Sequence, residues 1–374
     1  LQAVFTHKAA EAKTDDDHKY LAREQIAIGV VIFALAAVAF AWVHFNGKAL
    51  VASMKLPALN VLSVTLASGV FALLLPMVYG VLQGRQRFLW LGWAMLSLGV
   101  VRLAAAAGLV HSYGTSALNG LVGVGLGFAC AFLIAVATSG LPSLAPREWL
   151  PCVTQINWGD LGRRFIPLSL GGGAVIYMMS VDMIVVQRFF DGEQTGYYAA
   201  AGMIGRALIF FVGPMVMVMF PKIVRSRAEQ KPTDVLRLTL LLTAGLCIVA
   251  VTIGILVPQL PLQIIYDDSY LKVAQLVPWF IGAMAPLALA AVLVNNILAR
   301  GAYAVIYWLT LLPILYTGVL WKMAPKIAEQ TAGGFNIHAY ASIVQLIGMG
   351  NLCFLCATVI LTWAVYRQAE AEAH

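Results

Sequence analysis

The chain has 374 residues, of which 61% are hydrophobic and only 11% are charged. Soluble domains carry about 25% charged residues, so this composition excludes an ordinary soluble enzyme or binding domain. The formal net charge of +7 does not indicate nucleic-acid binding, because the basic residues form no run and no patch with interleaved aromatic side chains.

Ten apolar stretches are each long enough to cross a bilayer, which requires about 20 mostly apolar residues. In chain order the predicted spans are 25–45, 59–82, 88–110, 117–138, 165–187, 196–220, 236–258, 273–298, 303–321 and 340–366. We therefore predict an all-α integral membrane protein with ten visible transmembrane helices.

The basic residues alternate between the connections of these spans. Sixteen of the 24 Lys and Arg residues lie on one side of the predicted topology and six on the other. Because cytoplasmic loops are enriched in Lys and Arg, the first set is predicted to be cytoplasmic. The expected location is the bacterial inner membrane, in a multi-pass arrangement with both visible termini in the cytoplasm.

Two short similarities recur at nearly the same offset along the chain. AEAK at 10–13 resembles AEQK at 228–231, and LQGRQRF at 82–88 resembles LARGAY at 298–303. Together they indicate that the first four spans repeat as the last four, which leaves the fifth and sixth without partners.

The missing partners would lie upstream of Leu1. We therefore expect a twelve-helix protein of two six-helix bundles related by a pseudo-two-fold axis along the membrane normal. The expected domains are 1–150, with four visible helices, and 151–374, with six.

Two arginines, Arg102 and Arg206, remain inside predicted spans, about 21 Å and about 15 Å from one end. A charge at the bilayer centre costs about 2.5–3.5 kcal/mol on insertion scales, so each needs a reason to be there. Each could bind an anionic group in an aqueous cavity, where a guanidinium fork matches phosphate oxygens. Alternatively, each could pair with carbonyls or a carboxylate and hold helices together.

Asp182 is the only acidic residue within the ten predicted spans. It lies toward the outer end of the fifth span, and Arg206 lies about 7–9 Å deeper in the sixth. A structural Asp182–Arg206 pair is one interpretation. A gate or an ion-coupling site is the other.

No constellation in the sequence predicts catalysis, a metal site or a cofactor. The glycines Gly123, Gly125 and Gly127 and the triple Gly171–Gly173 lie in apolar spans, where they predict close helix packing and not dinucleotide binding. The six His residues show no metal-ligand spacing. We therefore expect a protein that is not an enzyme.

Several motifs point to one family. They are Asp182 late in one span, Tyr197 and Tyr198 in the GYYAA that opens the next, Phe220–Pro221 at its end, Gln83, Gly84 and Arg85 in GVLQGRQRF, and Asn295 and Asn296 in NNILARG. With these motifs the chain resembles the polysaccharide-biosynthesis (Wzx-type) flippases of the multidrug/oligosaccharidyl-lipid/polysaccharide exporter superfamily.

The resemblance implies a V-shaped cavity between two six-helix bundles. Such a protein moves a polyprenyl-pyrophosphate-linked oligosaccharide between leaflets by alternating access, for surface or exopolysaccharide synthesis. Arg206 and Arg102 would then attract the pyrophosphate, and Asp182 would act near the outer gate or couple to Na⁺ or H⁺. The expected partners are the lipid-linked substrate, membrane lipids and polysaccharide-assembly proteins, with no nucleic acid.

The main alternative is an ion-coupled multidrug or toxin extrusion antiporter of the same superfamily. Export of organic cations favours buried carboxylates, whereas these spans offer one carboxylate against two arginines. A membrane glycan polymerase would need a long outer loop with paired catalytic residues, but the longest outer connection, 322–339, has only Glu329 as an acid. A non-transporting assembly subunit is a further alternative.

Overall fold

The computed structural model describes residues 1–12, 14–53, 59–114, 116–140, 157–190, 192–228, 234–331 and 336–373. Within these ranges, ten helices are long and apolar enough to cross a membrane. The predicted all-α fold with ten visible transmembrane helices is confirmed. The chain forms two compact units, Leu1–Phe165 and Ile166–His374.

The described part of the N-terminal unit contains five complete helices and the start of a sixth. They are α1 Gln2–Glu11, α2 Asp15–Ser53, α3 Leu59–Gly84, α4 Phe88–Tyr113, α5 Ala117–Ser139 and the first turns of α6 Trp158–Phe189. The unit boundary falls within α6, whereas the predicted boundary between residues 150 and 151 lies outside the described residues.

Helix α2 begins ten residues before the predicted start of the first span, at Asp15. A reciprocal pair of bonds explains this start: the Thr14 backbone N–H donates to Asp17 Oδ2 at 2.8 Å, and the Asp17 N–H donates to Thr14 Oγ1 at 3.2 Å. This capping arrangement satisfies N–H groups that a helix start leaves open. The longer helix also includes Glu24, which the predicted span left out.

Glycines let the helices of this unit approach closely. A Cβ added to Gly123 would lie 2.6 Å from the Ala106 Cα on α4, and one added to Gly127 would lie 2.7 Å from the Arg102 Cβ. The close packing predicted for Gly123 and Gly127 is therefore confirmed, whereas an added Cβ on Gly172 or Gly173 has nothing within 4 Å, so the prediction was wrong for these two. Hydrophobic side chains of α3, α4 and α5 form a buried core cluster, including Leu75, Val78, Leu82, Leu91, Ala131 and Ala135.

Among its described residues, the C-terminal unit contains the rest of α6 and seven further helices. They are α7 Gly192–Ala228, α8 Val235–Leu256, α9 Leu260–Ile265, α10 Val277–Ala299, α11 Tyr303–Leu309, α12 Leu311–Ala328 and α13 Ile337–Ala373, with a 3₁₀ segment Asp268–Leu276 before α10.

Helix α10 is the centre of this unit, with the largest buried share of any described span. It packs against α7, α8 and α13. Gly205 of α7 allows a close approach, because a Cβ there would lie 2.8 Å from the Phe280 Cβ. One turn further along α10, the Asn351 amide of α13 donates to the Ala283 carbonyl at 2.8 Å.

Thr310 divides the predicted ninth span into α11 and α12. Pro313 lacks the N–H that would bond the Leu309 carbonyl, and its ring crowds that turn. The Thr310 hydroxyl also donates to the Tyr307 carbonyl at 2.7 Å. The span therefore bends near its start.

Candidate functional site

A buried ion pair joins α6 and α7 in the C-terminal unit. Arg206 Nη2 donates to Asp182 Oδ2 at 2.5 Å. The Asp182 side chain is fully buried and that of Arg206 is 12% exposed. The Asp182–Arg206 pair that was one interpretation of these residues is therefore present in the structure.

A second donor reaches the same carboxylate oxygen. Tyr198 lies about two turns before Arg206 on α7. Its hydroxyl donates to Asp182 Oδ2 at 2.8 Å. Asp182 Oδ1 is buried and has no hydrogen-bond partner in the described ranges. Because buried polar atoms are usually satisfied, this oxygen is an open acceptor position.

Arg206 is held at two points, one turn apart on α6. Its Nη2 reaches the side chain of Asp182, and its Nε donates to the Met179 carbonyl at 2.8 Å. The guanidinium folds back over Gly202, where an added Cβ would lie 2.6 Å from Nη1. A glycine one turn before the arginine therefore provides the space for its head group.

Aromatic rings enclose the pair. The Tyr198 ring lies 4.9 Å from that of Phe280 and 5.8 Å from that of Tyr340, measured between centroids. Tyr316 is buried within range of both charges, and its hydroxyl has no hydrogen-bond partner among the described residues. Gly350 accommodates this ring, because a Cβ there would lie 2.5 Å from it.

The pair is chemically a neutral unit in a low-dielectric environment, where each charge depends on the other. A proton or a small cation on Asp182 would weaken the attraction that holds Arg206. An anion could bind Arg206 only in competition with Asp182. Within the described part of the chain, no group of three His, Cys, Asp or Glu residues could hold a metal ion.

Arg102 has different surroundings. Its side chain is exposed on α4, and it has no hydrogen bond or ion pair to any described residue. Its Cβ packs against Gly127 of α5. The substrate-binding roles predicted for Arg102 and Arg206 stay predictions.

The helix-end motif of α3 makes structural contacts. Gln83 Oε1 accepts hydrogen bonds from Gln2 Nε2 at 2.9 Å and from Thr6 Oγ1 at 3.2 Å, both on α1. Gly84 lies against the same helix, because a Cβ added there would lie 2.6 Å from the Ala9 Cβ. Arg85 Nη1 donates to the carbonyls of Ser139 and Gly140 and so caps the C-terminus of α5.

The corresponding end of α10 has a similar arrangement. Asn295 donates to the Ala291 carbonyl of its own helix at 2.8 Å, and Asn296 Oδ1 accepts from Arg300 Nε at 3.3 Å. Arg300 Nη2 then donates to the Tyr366 hydroxyl near the end of α13 at 2.6 Å. In both units an arginine just after the second repeated helix bonds to a group near the end of the fourth.

Sequence reasoning missed a second buried ion pair, in the N-terminal unit. Lys8 Nζ lies 2.5 Å from Glu24 Oε1, with side-chain exposures of 11% and 1%. These side chains, with Glu11, Asp160 and Arg164, line a cavity of about 250 Å³. Glu24 stands one residue before the predicted first span, and the capping signal at Thr14 could have placed it inside the helix.

Glu11 belongs to the same charge cluster. Its Oε2 accepts from Arg164 Nη1 at 2.9 Å and lies 3.2 Å from His7 Nδ1. Burial raises the pKa of this carboxyl, but hydrogen bonds and charges from His7 and Arg164 outweigh burial and lower the pKa to about 2. The cluster joins α1 to the first turns of α6.

Comparisons with known proteins identify the fold. No family model and no curated protein matches the chain. Among solved structures, the Vibrio cholerae MATE transporter VcmN in the bent form has a TM-score of 0.67 at 16% identity, over 98% of this chain and 83% of that one. The eukaryotic MATE transporter AtDTX14 has a TM-score of 0.70 at 11% identity, over 100% and 86%.

A third structure, a MATE protein in the straight conformation, has a TM-score of 0.71 at 14% identity, over 100% of this chain and 85% of that one. The chain therefore has the fold of the MATE transporters, which have 12 helices in two six-helix halves and belong to the exporter superfamily named above. It is a multi-pass membrane protein.

Proposed function

We propose that the chain is a transporter that works by alternating access as an ion-coupled multidrug or toxin extrusion antiporter, with Asp182 as its coupling carboxylate. The likeness in fold to MATE transporters supports a transporter over an enzyme. It also supports the antiporter over the flippase that the sequence motifs favoured.

One observation carries the assignment to Asp182. This buried carboxylate uses Oδ2 for both of its donors, Arg206 and Tyr198, and leaves Oδ1 open. A proton or Na⁺ entering at Oδ1 would weaken the attraction between the carboxylate and Arg206. The pair would then have two states, one closed by Arg206 and one occupied by the cation.

The energetics of the pair favour such a switch. A buried charge without its partner is costly, so Arg206 would have to move toward solvent whenever a cation neutralised Asp182. Its side chain is 12% exposed, whereas Asp182 is fully buried. Cation binding would therefore be coupled to displacement of one side chain on α7, the kind of differential contact that shifts a two-state equilibrium.

Ion-driven transport of ethidium into proteoliposomes that contain the purified chain tests this proposal. A pH gradient and a Na⁺ gradient are applied separately. We expect one of them to drive wild-type transport and Asp182→Asn to reduce it at least tenfold. Asp234→Asn, at an exposed aspartate of the same unit and outside both proposed sites, is the matched control and keeps the wild-type rate.

Because Asp182→Asn leaves Arg206 buried without a counter-charge, the double variant Asp182→Asn/Arg206→Gln is measured beside it. Either variant showing the wild-type dependence on the gradient would remove Asp182 from the coupling role.

Lipid-linked oligosaccharide flipping is the second candidate, and Arg102 favours it. This guanidinium is exposed and has no partner in the described part of the chain, so it is available for a pyrophosphate. In this case the chain would act in the bacterial inner membrane beside polysaccharide-assembly proteins. Flipping of a fluorescent pyrophosphate-linked sugar lipid in the same proteoliposomes, lost in Arg102→Gln, would support this candidate, and ethidium transport without flipping would exclude it.

A further inference from the structure

A second group of aromatic side chains lies at the start of α7 and has no part in the Asp182 site. It consists of Tyr197 on α7, Tyr266 after α9 and Tyr270 in the 3₁₀ segment. We propose that this tyrosine cluster is a binding site for an organic ammonium ion, and that the chain's own Lys272 occupies it in this structure.

The geometry shows where a cation sits. Lys272 Nζ lies over the Tyr197 ring, 3.6 Å from its centroid. Tyr270 meets the same ring edge-on at 5.2 Å, and Tyr266 stacks on Tyr270 at 4.9 Å with an interplanar angle of 32°. The negative face of an aromatic ring attracts cations, and aromatic groups of this kind recognise quaternary ammonium ligands.

Lys272 can leave this position at little cost. Lys272 is exposed, while the three tyrosines are half-buried. Water can therefore solvate the Lys272 ammonium group as soon as it moves off the ring. Two exposed carboxylates, Asp267 and Asp268, lie next to Tyr266 in the chain and favour positive charge nearby. A free ammonium ion would therefore meet both a ring face and a negative field.

The cluster is attached to the helix that carries Arg206. The Tyr266 hydroxyl donates to the Met203 sulfur on α7 at 3.2 Å. The cluster therefore contacts α7 at Tyr197 and at Met203. The proposal goes beyond the coupling role of Asp182 and does not depend on it.

Isothermal titration of tetraethylammonium into the purified chain, in nanodiscs, tests the site. Lys272→Gln should tighten binding about fivefold, because it removes the ammonium group that competes for the Tyr197 ring. Lys272→Arg keeps a tethered cation on the ring and should bind as the wild type does. Lys322→Gln removes another exposed lysine of the same unit and controls for the change in net charge.

The aromatic contribution is separated by changing the ring in the Lys272→Gln background. Tyr197→Phe keeps the face and should keep the gain, whereas Tyr197→Leu should abolish it. A gain that survives Tyr197→Leu, an equal gain in Lys322→Gln, or no gain at all would overturn the proposal. The last result would leave the tyrosines as an aromatic belt of the membrane interface.

The same titration in the Asp182→Asn background separates this site from the coupling site. The gain from Lys272→Gln should persist there at the same size. If Asp182→Asn transports normally and the gain persists, the coupling proposal fails and the ammonium site stands. If the gain disappears with Asp182, the site is not the independent one proposed here.

Discussion

Tyr197 and Tyr198 are neighbours in α7, yet their side chains take part in two different sites. Tyr198 is fully buried and its hydroxyl donates to Asp182 at 2.8 Å. Tyr197 is half-buried and its ring carries the ammonium of Lys272 at 3.6 Å. Successive residues of a helix point about 100° apart, so one dipeptide serves the interior of the unit and its surface at once.

Breaking the Asp182–Arg206 pair from either side should destabilise the protein. We expect Arg206→Ala to lower the free energy of unfolding by about 3–5 kcal/mol, because it leaves a buried carboxylate unpaired. Export should also be lost while the protein stays in the membrane. Thermal unfolding in detergent and transport in proteoliposomes measure the two effects.

The double variant Asp182→Asn/Arg206→Gln is the reference for this prediction. It removes both charges and should unfold at a higher temperature than either single variant. Normal export by Arg206→Ala would end any functional role for this residue, whatever its effect on stability.

Gly202→Ala should disturb Arg206 without changing a charge. The added methyl group would lie 2.6 Å from Nη1, so the guanidinium would have to leave its position over the helix. We expect transport to fall several-fold although alanine favours helix formation. Gly213→Ala on the same helix, where an added Cβ has nothing within 4 Å, should leave transport unchanged. Equal rates for the two variants would mean that the arginine position does not matter.

Tyr198→Phe and Tyr316→Phe remove hydroxyls that differ in their partners. Tyr198 donates to the buried carboxylate, and a hydrogen bond to a charged group contributes about 1.5–3 kcal/mol. We expect Tyr198→Phe to lower the free energy of unfolding by this amount, as measured by denaturant or thermal unfolding. The Tyr316 hydroxyl has no partner in the described ranges, so Tyr316→Phe should be neutral or stabilising.

Transport gives a second comparison between these two hydroxyls. If a cation enters at Asp182 Oδ1, the open Tyr316 hydroxyl is available as a further ligand. Tyr316→Phe should then weaken the apparent affinity for the coupling ion while stability is kept. Unchanged ion affinity would exclude Tyr316 from that site.

Glu11 should make the stability of the N-terminal unit depend on acid pH. Its pKa falls from 4.5 to about 2 in the folded protein, so its stabilising effect is complete above about pH 4.5 and is lost as the pH falls toward 2. Its side chain is 41% exposed, and solvent screening limits the effect to about 1 kcal/mol or less.

Glu11→Gln should therefore unfold at a lower temperature than the wild type at pH 7, with a smaller difference at pH 3. Glu329→Gln, at an exposed residue of the other unit, is the control and should show no pH-dependent difference. A difference of the same size at both pH values would contradict the ionic explanation.

Particular residues show how far sequence reasoning reached into the site. Asp182 and Arg206 stood out because charges in apolar spans are rare, and their 24-residue separation allowed a pair across a hairpin. Tyr198 was found only as part of a motif, since nothing local says that its hydroxyl points inward. Glu24 was missed because its burial depends on Lys8 from another helix, 16 residues earlier in the chain.

The sequence by itself determined that this is a multi-pass membrane protein with ten helices long and apolar enough to cross a membrane in the described ranges, and that its helices have a repeated arrangement. Both follow from hydrophobicity and period, which are local properties of the chain. Only the tertiary structure decided that Arg206 is neutralised by Asp182, that Arg102 is not paired with any described residue, and that Lys272 lies on Tyr197. The partner of a charge is set by helix rotation and close packing at residues such as Gly202, and these depend on contacts between distant parts of the chain.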